Sequence, residues 1–343
     1  PIFFRAPDFL KRVGKDEGTF FLAIDRGGLW ANIRVVDPVN AMWRLMMIES
    51  DGQQTPETVD RDALMRRAVG RPFDVEWLGC SIWTRRSLVA KEYSKGRVFL
   101  AGDAVHQLSP TGAMGMNTGI GDVVDLGWKL AAVAQGWGGP DLLASYSVER
   151  QPVGVRAINN TAGFHLSHGK FHNGFAAIED DTGEGRALRA DIGPQLVREV
   201  GRMFRTIGLQ LGYRYEDSPI IVPDGTPSTP DDPEKFIASA RPGSRAPHVA
   251  LKDGSSMLDL YGRGYVLVRF GAGAPDGAEI ADAAKARNVP LRTVSIDDAE
   301  AAEIYEQPLV LVRPDGHVAW RGRKSPTDAL AVIDRVRGAS LAS

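Results

Sequence analysis

The stretch at residues 96–152, GRVFLAGDAVHQLSPTGAMGMNTGIGDVVDLGWKLAAVAQGWGGPDLLASYSVERQP, constrains this chain more than any other. Its apolar run Val98 to Ala101, bounded by glycines, predicts a buried strand that ends at Gly102-Asp103. A loop carrying Pro110, Gly112, Ala113 and Gly115 follows. Then Met116, Ile120, Val123, Val124, Trp128, Leu130 and Ala131 recur at helical spacing to about Gln135. Glycine lets backbone approach a flat ligand closely. The N–H groups at a helix start favour negative charge. An aspartate leaving a strand can accept hydrogen bonds from sugar-like hydroxyls. The order predicts a cradle for a polar, partly anionic ligand. A lone Gly-Asp would equally suit a tightly packed crossover.

The full run, continued through LLASYSVERQPVG, closely resembles the flavin-contacting segment of the single-component FAD-dependent aromatic hydroxylases. The resemblance implies that Gly102 and Asp103 hold the ribityl chain of FAD. It implies that Pro110 packs near the reactive face of the isoalloxazine ring. Backbone N–H groups around Gly112, Ala113, Gly115, Met116 and Asn117 would then face its pyrimidine edge. Tyr146, Glu149 and Arg150 match the family's Tyr-x-x-Glu-Arg element, and the Glu-Arg pair is expected to be structural. His106, within Gly-Asp-Ala-Val-His, reads as a packed, hydrogen-bonded residue; no side chain is assigned as catalytic base.

At 343 residues the chain has room for about two domains. A net charge of −2 provides no electrostatic footprint for nucleic acid or an anionic membrane. Cys80 is the only cysteine, so a dithiol redox pair within the chain and a multi-cysteine zinc site are excluded. No secretory signal or membrane-length apolar run occurs, and a cytoplasmic location is expected. The expected metal content is none. His165, His168 and His172, at intervals of three and four, would share a helix face but have no carboxylate or thiol neighbours. No Gly-x-Gly-x-x-Gly follows an early strand, although that motif supplies the pyrophosphate cradle of a dinucleotide fold. With only 101 residues before Gly102 and no initiating methionine, the expectation is that an N-terminal dinucleotide-binding part is missing.

Phe20 to Ile24, Leu29 to Val36 and Met42 to Ile48 are β-rich runs separated by turn residues. Their order resembles the family's substrate-domain sheet, so Trp43, Met47 and Trp30 either line an aromatic pocket or fill the core beneath it. Thr55 to Gly70 predicts a short helix, and Phe73 to Trp83 a strand pair. Pro140 marks a helical first turn. Residues 155–212 read as mostly helical, and Thr226 to Pro233 as a linker. Tyr265 to Phe270, Ala278 to Arg287, Leu291 to Ile296, a hairpin over Leu309 to Trp320 and Asp328 to Arg337 follow in a thioredoxin-like order. The string VLVRPDGHVAWRG closely resembles the C-terminal domain of the phenol and polyketide hydroxylase branch. Without Cys-x-x-Cys, this domain reads as a packing or dimerisation module.

The expected fold is thus α/β and α+β, part of an FAD-dependent hydroxylase fold with a C-terminal thioredoxin-like domain. Its expected parts are a substrate-domain sheet (1–95), a flavin-contacting and helical region (96–225), a linker (226–240) and the thioredoxin-like domain (241–343). The resemblance implies a monooxygenase using FAD, NAD(P)H and O₂ to hydroxylate a small phenolic or polyketide aromatic substrate through a flavin C4a-hydroperoxide. Implied partners are a second copy of the chain, as in a dimer, and the missing N-terminal fragment. The rival readings are a non-catalytic substrate-binding or scaffold remnant, and another flavin oxygenase of epoxidase or Baeyer–Villiger type.

Overall fold

In the computed structural model the chain is described at residues 1–47, 55–171 and 174–339, without the side chains of 165–168. Ile48 and His172 lie outside these residues. The chain divides into two compact units, Pro1–Arg85 with Phe164–Gly201, and Arg86–Gly163 with Arg202–Ser343.

The first unit is built on an antiparallel sheet of order β2-β3-β4-β1-β5. Its strands are β1 (Ile2–Arg5), β2 (Phe20–Asp25), β3 (Gly28–Asp37), β4 (Met42–Met47) and β5 (Glu76–Cys80). The Asp25–Gly28 turn is held by the Gly27 N–H donating to Asp25 Oδ1 at 2.8 Å, and Gly28 takes φ +106°. Helices α1 (Phe9–Arg12) and α2 (Arg61–Val69) contribute Phe9 and Met65 to a core with Phe4, Ile33, Trp43 and Leu45. The predicted pair between Phe73 and Trp83 is a single strand. Only β5 forms, because β1 offers it an edge on one side and Ser81 closes the ladder by donating to the Pro1 carbonyl.

In the second unit, β6 (Leu88–Val89) pairs with β9 (His106–Gln107), and β7 (Ser94–Lys95) with β8 (Val98–Phe99). Val98 and Leu100 are exposed, so the predicted buried strand is a two-residue ladder with one outward face. Helices α3 (Met114–Ala134) and α4 (Ser145–Gly169) follow. The residues after Pro140 form a turn, and α4 starts only at Ser145. Beyond α5 (Gly183–Gly201), which belongs to the first unit, and α6 (Ile207–Leu211) lies a mixed sheet of order β11-β10-β12-β13. It comprises β10 (Tyr265–Phe270), β11 (Leu291–Ile296), β12 (Leu309–Val312) and β13 (Val318–Gly322). β10 and β11 are parallel and the other pairs antiparallel. Helices α7 (Ala278–Ala286), α8 (Ala299–Tyr305) and α9 (Ala329–Val336) complete the predicted thioredoxin-like order. Among the described residues no helix is long and apolar enough to cross a membrane.

This sheet and α3 share one core. Ala132, Trp137 and Leu142 pack with Tyr265, Leu267, Leu309, Ile333 and Val336. The join is sealed by backbone: Gly139 donates to the Arg337 carbonyl at 2.7 Å and Asp141 to that of Gly338 at 2.8 Å. A Cβ on Gly139 would sit inside contact distance of the Gly338 and Ala339 backbone, which cannot swing aside as a side chain can. Gly139→Ala is therefore expected to cost about 2 kcal/mol or more of stability. A chemical-denaturation midpoint unchanged from the parent would contradict this close approach.

Candidate functional site

Asp103 lies in the 3₁₀ turn Gly102–Ala104 at the end of the β8 segment. Its carboxylate is exposed and has no hydrogen-bond partner among the described residues. Gly102 has φ +62°, a conformation that suits glycine and turns the chain there. The backbone of the turn lies close on α3, since a Cβ on Gly119 would come within 3.2 Å of the Gly102 Cα.

Helix α3 begins at Met114, two residues before the first apolar position read from the sequence. Ala113 is the N-cap at φ +55° and Gly112 has φ +85°, so the loop reverses sharply into the helix. No side chain caps this end, leaving the first-turn N–H groups of Gly115 and Met116 without an intrahelical partner, while the Asn117 N–H opens the helical ladder. Pro110, Ala113, Met116 and Asn117 are exposed, and a Cβ on Gly115 would meet nothing within 4 Å. The candidate residues Gly102, Asp103, Pro110, Gly112, Ala113, Gly115, Met116 and Asn117 thus form a turn, a loop and a helix start within one unit. Trp43 and Met47 belong to the other unit. There Trp43 is buried 4.5 Å from Phe9, ring centre to ring centre, and Met47 is half-buried against the same core.

Burial of α3 inverts its apolar pattern. Met116, Ile120, Val123, Val124 and Leu130 are exposed, Met116 to 75%. Asp122, Asp125 and Lys129 face inward and are buried. Asp122 is a hub: its Oδ2 accepts from the Gly102 N–H at 3.0 Å and His106 Nε2 at 2.8 Å, and its Oδ1 accepts from Arg150 Nε at 2.8 Å. Arg150 also donates to the Thr118 carbonyl and to Tyr215. The reading of Glu149-Arg150 as structural and His106 as packed agrees with this geometry.

One turn on, Lys129 Nζ bridges Asp125 (2.7 Å) and Glu149 (2.6 Å), and Arg313 Nη1 reaches Glu149 at 2.6 Å. Burial works against ionisation of Glu149, but Arg313 and Lys129 hold it below the ordinary carboxylate range. Burial and the adjacent Glu149 charge raise Asp125. Sequence reading missed Asp122, Asp125, Lys129 and Arg313. The i, i+3, i+7 spacing of Asp122, Asp125 and Lys129 on α3 is visible, but apolar residues flank it on both sides and nothing local says which face is buried.

Residues 1–161 match the FAD binding domain family, and residues 239–339 match the aromatic-ring hydroxylase C-terminal family. The chain belongs to the FAD-dependent aromatic hydroxylases. It is 40% identical to the FAD-dependent monooxygenase apdD of Emericella nidulans over 78% of this chain and 46% of that protein. Chromopyrrolic acid-soaked RebC with bound 7-carboxy-K252c superposes with a TM-score of 0.89 at 40% identity, covering 99% of this chain and 63% of that one. The flavin-dependent monooxygenase PieE in complex with FAD and substrate superposes at 0.80 with 30% identity, covering 98% and 64%. The chain therefore spans about half to two thirds of the length of these relatives. Its polar groups fit a flavin: an exposed carboxylate that can accept, glycine backbone at the turn, and an uncapped helix start that can donate.

Asp122 also sets an acid sensitivity. Burial disfavours its charge, yet hydrogen bonds and charge from His106 and Arg150 keep its pKa below the ordinary value. Its contribution to stability is complete above about pH 4, the unfolded value, and is lost as pH falls through the lower folded one. Asp122→Asn is expected to lower stability at pH 7 by roughly 3 kcal/mol and to flatten its dependence on pH below that range. Urea melts showing the parent's slope would contradict the assignment.

Proposed function

We propose that this protein is a monooxygenase that hydroxylates a phenolic or polyketide-type aromatic ring, using FAD, NAD(P)H and O₂. The observation that carries the reading is the juxtaposition of Asp103 and the uncapped start of α3, tied together through Gly102, Gly119 and Asp122. Similar proteins include enzymes described as phenol 2-monooxygenase and 2,4-dichlorophenol 6-monooxygenase, and a structure of aklavinone-11 hydroxylase with FAD and aklavinone.

Bound flavin would supply the activation of O₂ with electrons from NAD(P)H. Asp103 would accept hydrogen bonds from the ribityl hydroxyls. Pro110 and the backbone of Gly112, Ala113 and Gly115 would lie along the ring without side-chain obstruction. The N–H groups from Gly115 to Asn117, with the positive end of the α3 dipole, would favour negative charge at the ring's edge. Trp43 and Met47 are the proposed apolar residues of the substrate-binding unit. Supporting partners would be a second copy of the chain and a dinucleotide-binding segment.

Removing a charged hydrogen-bond acceptor costs about 1.5–3 kcal/mol, so Asp103→Ala is expected to weaken FAD binding about tenfold or more. Fluorescence titration reads this directly, and parental affinity in the variant would overturn the ribityl role. With isotopically labelled O₂, the purified protein, FAD and NAD(P)H should place one labelled oxygen on a phenolic product. Flavin reduction with no labelled product across a panel of phenols and polycyclic aromatics would count against the activity.

A further inference from the structure

The C-terminal domain has no dithiol, yet its β12–β13 turn carries a fully buried cation. Arg313 Nη1 and Nη2 fork onto Glu149 at 2.6 and 2.9 Å, and Nη2 also reaches Asp125 at 3.0 Å and Asp315 at 2.5 Å. Its guanidinium stands 5.2 Å from the Trp128 ring centre and 5.1 Å from that of Tyr215. Asp125 and Trp128 lie on α3 and Glu149 on α4, so one side chain of the C-terminal sheet grips both helices. Asp125 is three residues from Asp122, on the same buried face, and Asp122 holds the Gly102 N–H. The other end of α3 is fixed independently, by Trp137 against Tyr265 and by the Gly139–Gly338 backbone contact.

We propose that the C-terminal domain is a clamp on α3, and that Arg313 is the positioning residue through which it sets the Gly102–Asp103 turn and the start of that helix. The fork of two nitrogens onto the two Glu149 oxygens demands arginine, because a lysine at this position presents one compact charge and cannot pair both oxygens in a plane. Other groups facing Arg313 are Lys129, which supports the same carboxylates, and the neutral ring of His317, tilted against Tyr215 with ring centres 4.3 Å apart. Burial keeps that ring uncharged. The clamp rests on the flavin reading only for the identity of the ligand, since helix position is a property of the unliganded chain.

The test is amide hydrogen exchange on the purified chain carrying Arg313→Lys, with Arg287→Ala as the control. Arg287 pairs with Asp334 at 2.8 Å at the surface of the same domain and touches neither α3 nor α4. Arg313→Lys is expected to speed exchange across α3 and at Gly102 about fivefold or more while β10 and β12 hold their protection, and Arg287→Ala to leave α3 unchanged. Glu149→Gln, which keeps the arginine and removes one arm of the fork, is measured alongside and read by the same criteria.

FAD titration of the same proteins should show affinity falling about fivefold in Arg313→Lys, a coupling of the size that distant positioning residues exert. Parental exchange in α3, acceleration shared equally by β10 and β12, or loosened α3 with unaltered FAD affinity would each overturn the clamp. A loosened α3 in a chain whose parent binds no FAD would overturn the flavin reading and leave the control of α3 by Arg313 standing. Tight FAD binding with an unchanged α3 would do the reverse.

Discussion

The second unit depends on keeping a charged helix face out of water. Asp122, Asp125 and Lys129 on α3 are buried, with Arg150, Glu149, Arg313 and Asp315 brought against them. An isolated buried charge costs several kcal/mol, and attraction between partners offsets this only when hydrogen bonds occupy the remaining lone pairs and protons. At its two centres the network meets that condition: Lys129 donates to two carboxylates and Asp122 accepts from three groups, while His106 Nδ1 on the Asp122 side is left without a partner among the described residues. Such an arrangement leaves little freedom of register, because a shift of one turn would strand charge in an apolar interior.

That rigidity is what a flavin site asks of its protein. A turn bearing Asp103 and a bare helix end are useful only if their separation is held, and loops alone hold distances poorly. Here the turn is fastened from behind by Asp122 and by glycine-to-glycine contact, while its carboxylate stays exposed. The outward side of α3 shows Met116, Ile120, Val123, Val124 and Leu130. A contiguous apolar stripe of this kind marks an interaction face. Exposed apolar surface and buried charge are thereby separated onto opposite sides of one helix.

Much of the local structure at the candidate site was legible before the fold. Gly102-Asp103, the glycine-bearing loop and the periodic helix lie within a span of about forty residues, and local chemistry suffices to order them. The thioredoxin-like order of the C-terminal region was equally readable, because β10, α7, β11 and the β12–β13 hairpin alternate clear buried-strand runs with turn residues. The boundaries that slipped did so for local reasons: Ala113, not a polar cap, starts α3, and β5 found one partner edge where two strands were expected.

The sequence by itself determined which elements exist and where the flavin-type motif lies, since periodicity, glycine placement and the match at 96–152 are properties of neighbours in the chain. Only the tertiary structure decided which side of α3 is buried. Apolar residues ring that helix, so its hydrophobic pattern favours the stripe that in fact stays outside. The choice was made by Arg313, 188 residues beyond Asp125, and Arg150, 28 residues beyond Asp122, because a buried carboxylate is tolerable only where its counter-charge arrives, and that arrival is a long-range event.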